Sequence, residues 1–123
     1  MNWYTAWMTL VGNTHLISGG AEALGGILSL LQQEGIETRG NPDVFVREYQ
    51  RFGVEEAREL RERASLRAIG NQRIFIVVTP SMTSEAQNAL LKTLEEPLAN
   101  AMFFFVVPAP HMLLPTLRSH AQV

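Results

Sequence analysis

A chain of 123 residues with 46% apolar and 18% charged side chains has the composition of one packed domain, which argues against disorder and leaves no room for a second domain. Ten basic against twelve acidic residues give a formal net charge of -2, which excludes a strong whole-domain pull on phosphate backbones and leaves only a local nucleic-acid contact open. The absence of cysteine removes disulfides, thiol catalysis and thiolate metal sites together.

Residues 1–12 read as an arm or short helix, with Trp3, Trp7 and Leu10 at helical spacing; the stripe packs on the domain's own core or faces a partner. No Lys or Arg precedes its apolar part, and Asn2, Tyr4, Thr5, Thr9, Asn13 and Thr14 interrupt it, so it lacks the layout of a secretion signal. No run approaches the roughly 18 apolar residues that a membrane-crossing helix needs. A cytoplasmic protein is expected.

The domain proper is read over 13–123. His15 to Gly19 is a strand ending in the pair Gly19-Gly20, and a helix is expected from about Ala21 to Gln33 with Gly35 as its stop. Gly25 and Gly26 inside it each cost about 1 kcal/mol of helix propensity, so tertiary packing must hold this element. Asn41-Pro42-Asp43 forms a turn before a second strand over Val44–Arg47. A polar helix then spans about Val54 to Ala68, its Ala57, Leu60, Ala64 and Ala68 on one stripe and its Glu/Arg run a solvated face.

After a turn at Gly70, the run Ile74–Val78 is apolar without interruption, the mark of a central parallel strand buried on both faces. Thr79-Pro80 ends it. The next helix starts at Thr83 or Ser84, where Ser84 and Gln87 have capping-box spacing; Ala86, Leu90, Leu91 and Leu94 make its buried stripe and Pro97 closes it. Met102–Val107 is a second continuously apolar strand. Pro108, Pro110 and Pro115 then punctuate a loop, a short helical turn lies near Leu113 to Ser119, and Ala121 begins a last strand. Strands and helices alternating at this spacing predict an α/β three-layer sandwich, a parallel sheet flanked by helices with right-handed crossovers. His15, His111 and His120 are too scattered for a metal site, and no Ser-His-acid arrangement with a strand-to-helix elbow is visible.

The segment Ala86-Gln-Asn-Ala-Leu-Leu-Lys-Thr-Leu-Glu-Glu-Pro97 followed by a strand and Leu113-Leu-Pro-Thr-Leu-Arg-Ser119 resembles the N-terminal AAA+ domain of bacterial DNA polymerase III clamp-loader subunits, the delta prime and gamma/tau group. Asn41 to Asp43, Val54 to Leu60 and His15 to Gly19 are similar to further family segments. The resemblance implies a P-loop NTPase, AAA+-like fold, here truncated because the family's lid and collar domains are not among these residues. A monomer or weak homodimer is then expected.

The family's phosphate-binding loop, Gly-x-x-Gly-x-Gly-Lys-Thr/Ser, wraps phosphates in glycine amides, offsets their charge with lysine and holds magnesium through a hydroxyl. Its counterpart here keeps Gly19, Gly20, Gly25 and Gly26 but has no lysine or hydroxyl at its end, and adds Glu22. The acidic Walker B position reads Thr79-Pro80, the sensor position falls in Val106–Pro110 without a side-chain donor, and His120 stands where the family projects an arginine finger. The resemblance therefore implies a non-hydrolysing, delta prime-like protein-interaction domain in DNA replication. No catalytic residue, cofactor or metal is expected. Its interface candidates are Asn88, Lys92, Glu95, Glu96 and Arg118, and its partners are protein subunits of a clamp loader or replisome, with DNA a weak partner and no membrane. Two alternatives stand beside it: an ATP-binding AAA+ domain with an atypical phosphate loop, and a DNA-binding module.

Overall fold

A computed structural model describes residues 14–66, 72–95 and 101–119. The expected arm, the turn at Gly70, Ala68, Glu96, Pro97, His120 and the last strand lie outside these residues. The described elements alternate as the sequence predicts. They are β1 (Thr14–Ser18), a 3-10 turn (Ala21–Ala23), α1 (Leu24–Gln33), β2 (Val44–Glu48), α2 (Val54–Ala64), β3 (Arg73–Val78), α3 (Ser84–Glu95), β4 (Ala101–Val107), a second 3-10 turn (Pro110–Met112) and α4 (Pro115–Ser119).

The four strands form one parallel sheet in the order β1-β4-β3-β2, so the two continuously apolar strands occupy its centre. Side chains alternate across the pleat and divide the core in two. Phe45, Phe75, Val77, Phe103 and Phe105 face Ala57 and Leu60 of α2, Ala86 and Leu90 of α3 and Leu117 of α4. On the other face Ile74, Ile76, Phe104 and Val106 pack on Ile27 and Leu31 of α1. Helices therefore cover both faces, giving the three-layer α/β sandwich expected from the sequence.

Register adds an aromatic ladder to the larger core, because Phe45 pairs with Phe75 and Phe75 with Phe103 across neighbouring strands. The ring centroids lie 5.7 and 5.2 Å apart, and each such contact adds about 0.5–1.5 kcal/mol beyond the area it buries.

Helix ends follow local chemistry. Gly35 stops α1 as expected: at φ +83° its amide donates to Gln32 O while Ile36 N–H reaches Leu31 O, the paired bonds of a Schellman stop, and Ile36 packs into the same cluster as Leu31. The α2 helix ends at Ala64 rather than near Ala68, because Ser65 turns its hydroxyl onto Glu62 O and closes the last turn. Its first turn is held by Glu56, whose carboxylate accepts the Gly53 N–H at 2.8 Å. At α3 the capping reading needs correction. Thr83, not Ser84, is the cap, its Oγ1 accepting the Ala86 N–H at 3.0 Å. Gln87 turns elsewhere, as described below.

The segments after β2 and β3 run on together beyond the sheet. Phe52 N–H donates to Ser81 O and Thr83 N–H to Phe52 O, and the fully buried Phe52 anchors the crossing. Both α2 and α3 therefore start from the same corner.

Candidate functional site at the carboxyl ends of the strands

In open α/β sheets, ligands bind in the crevice outside the carboxyl ends of the strands. Here that edge is built by Ser18, Val107, Val78 and Glu48 and the turns that follow them. Hydrogen bonds tie three of the turns together: Gly19 N–H donates to Val107 O at 2.9 Å and Thr79 N–H to Val106 O at 3.0 Å, while Ser18 Oγ donates to Pro108 O at 3.2 Å.

The turn after β1 is short. Gly19 adopts φ +146°, a conformation open to glycine, and Gly20 N–H donates to the Glu22 carboxylate at 2.9 Å. That bond, with a second from the Glu22 amide, holds the Glu22 carboxyl below the usual carboxylate range although the side chain is exposed. A Cβ on Gly20 would lie 2.9 Å from one Glu22 oxygen, and a Cβ on Gly19 would lie 3.1 Å from the other. The carboxylate thus occupies the space that side chains at these two glycines would take. Gly25 and Gly26 are not part of this turn; they are helical, the second and third residues of α1.

Beyond β3, Thr79 is buried and its hydroxyl folds back, donating to Ser81 O at 2.9 Å and accepting from Ser81 N–H at 3.3 Å. Pro80 beside it is exposed. Between the ends of β3 and β4 lies a cavity of 280 Å³, lined mainly by Pro80, Met82, Gln87, Pro108, Met112 and Leu113. Its rim carries Met112, 76% exposed.

Gln87 is the residue that sequence reasoning misplaced. Buried on α3, it donates its amide to Met82 O at 3.2 Å and accepts the Leu114 N–H at 2.7 Å. One side chain therefore ties the loop after β3 to the start of α4, meeting Leu114 from 27 positions away in sequence. The only available signal was a polar residue on the inward stripe beside Ala86 and Leu90.

Among the interface candidates, Asn88 and Lys92 are exposed one turn apart on α3, and Glu95 ends the same helix. Arg118 sits on α4, which packs against α3; it is half-buried, and among the described residues its Nε has no hydrogen-bond partner. Glu96 and His120 are not described. His15 is buried in β1, its ring stacked on Phe104 at a centroid distance of 5.1 Å, and burial pushes its pKa below the ordinary value. Among the described residues no three His, Asp or Glu side chains converge as a metal set, and no helix is long and apolar enough to cross a membrane.

Comparison with known proteins places this geometry. The family described as DNA polymerase III, delta subunit, matches residues 32–123. The gamma/tau subunit of DNA polymerase III from Mycobacterium tuberculosis is 44% identical over 69 residues, which is 54% of this chain and 12% of that protein. The delta prime subunit from Escherichia coli is 40% identical over 74 residues, 58% of this chain and 22% of that one. A DNA polymerase III gamma subunit-related protein from Thermotoga maritima superposes with a TM-score of 0.72 at 26% identity, over 98% of this chain and 43% of its own. The chain thus spans a minor part of each of these proteins. A match across residues 32–123, on a parallel sheet carrying α3, makes the chain a member of the DNA polymerase III, delta subunit family, related to the N-terminal domain of the delta prime and gamma/tau clamp-loader subunits.

Proposed function

We propose that this domain is a non-hydrolysing, delta prime-like unit of the DNA polymerase III clamp-loading machinery, acting in the cytoplasm by gripping other protein subunits. The observation that carries the reading is the state of the strand ends. Glu22 bonds to Gly20, Thr79 to Ser81, Ser18 to Pro108, and Gln87 to both Met82 and Leu114. These four side chains close on their own chain.

A magnesium-bound triphosphate requires free amides, a compensating cation and a carboxylate for the metal. At these positions the chain offers an amide already bonded to an acid, a helix start Leu24-Gly25-Gly26 without an ammonium, and a buried hydroxyl followed by proline. The residues do not fit that ligand, so no chemical step is assigned to them.

What the same scaffold does supply is a firm outer surface. Leu90 and Ala86 seat α3 on the sheet and hold Asn88 and Lys92 outward, while Gln87 fixes where α4 and its Arg118 begin. A surface so held serves recognition, since groups ordered beforehand lose less entropy on binding. Size-exclusion chromatography of the purified chain mixed with the gamma/tau subunit of the same cell tests this. Co-elution that is weakened by Lys92→Glu or Arg118→Ala is expected. Separate elution at tens of micromolar, roughly 6 kcal/mol of binding, contradicts the interaction reading.

A further inference from the structure

We infer that Glu22 is the built-in anion of the turn after β1: its carboxylate fills the amide of Gly20 and closes the turn against an external polyphosphate. The inference deepens the reading above and rests on it for the identity of the turn.

A carboxylate oxygen and a phosphate oxygen are the same kind of acceptor to a backbone N–H, and a charged acceptor makes the stronger bond. In the turn, Glu22 Oε1 sits 2.9 Å from Gly20 N. A Cβ on Gly20 would stand 2.9 Å from the carboxylate and displace its flexible end, whereas one on Gly19, at 3.1 Å, would make it give only slightly. Bare Cα atoms are what a phosphate loop uses to bring its backbone close to a ligand; here they bring it close to the chain's own acid. The depressed pKa of Glu22, caused first by the Gly20 amide, agrees with that geometry. A polyphosphate approaching Gly20 meets a like charge and has no amide there until the acid leaves. Because Glu22 is exposed, the closure is a local contact that salt screens and not part of the core.

Two variants isolate the contact. Glu22→Ala removes the acceptor. Gly20→Ala keeps the acid but pushes its flexible end away, since the new methyl would stand within 3 Å of it. Amide proton exchange at position 20, followed by NMR, is expected to quicken about tenfold in both variants, and tripolyphosphate added to the unaltered protein is expected to leave the Gly20 resonance in place. Equal exchange in the unaltered protein and in Glu22→Ala, or a saturable shift of Gly20 with tripolyphosphate in the unaltered protein, overturns the inference. Either failure leaves the binding of gamma/tau untouched, whereas separate elution from gamma/tau with a protected Gly20 amide removes the proposed function and keeps the closed turn.

Discussion

The helix α3 and the turn after β1 answer to different forces, though both belong to one sheet. On α3, Ala86 and Leu90 are fully buried against the aromatic ladder, and Gln87 is bonded at both ends; almost any change there disturbs packing. The turn from Gly19 to Glu22 is exposed or half-exposed and touches chiefly itself. A fold can therefore keep the first region while the second drifts away from nucleotide chemistry, because the sheet's stability does not depend on what the turn binds. The difference teaches that likeness in a scaffold helix reports shape, and that activity has to be read at the turns.

Breaking the packed region gives the largest effect. Phe75→Ala, which removes the middle ring of the ladder, is expected to lower unfolding free energy by about 3–5 kcal/mol in urea denaturation monitored by circular dichroism; a loss below about 1 kcal/mol would show that the ladder is not the centre of the core. Gln87→Leu comes next. It strands the Leu114 amide and the Met82 carbonyl, and the expected cost is about 1–3 kcal/mol, with faster proton exchange at Leu114. Unchanged exchange at Leu114 would mean that α4 is positioned by Leu117 alone.

A smaller and pH-dependent effect belongs to His15. Burial holds its folded pKa below 6.5, so the unfolded chain takes up the proton first as pH falls. Above that ordinary value both states are neutral and His15 contributes nothing; through it and below, the folded state loses ground until its own lowered pKa is reached. The melting temperature is expected to be lower at pH 5 than at pH 7.5, and His15→Phe, which keeps a ring against Phe104, is expected to flatten that difference. A variant with an unchanged pH profile would assign the effect to other groups.

Much of the packed region was legible in the sequence. Continuous apolar runs in β3 and β4 mark strands covered on both faces, and Gly35 stands where a left-handed stop is required. The end of α2 was not legible, because its stripe of Ala57, Leu60 and Ala64 continues to Ala68 in the sequence while the closing bond of Ser65 depends on one rotamer. Gln87 escaped for another reason. Local spacing offers it a capping role, and only the return of the chain at Leu114 gives it a different partner. Glu22 was visible as a misplaced charge near the turn; that it bonds to Gly20 was a short-range contact that the sequence allowed but did not dictate.

The most direct test is phosphate release from magnesium-ATP by the purified chain, measured beside a no-protein blank and beside the Glu22→Ala and Gly20→Ala variants. The account expects all three proteins to match the blank, because the helix start Leu24-Gly25-Gly26 carries no ammonium and Thr79-Pro80 stands after β3 where a magnesium-holding acid is needed. Release above the blank that rises with protein concentration and changes with substitution at Gly20 would contradict it.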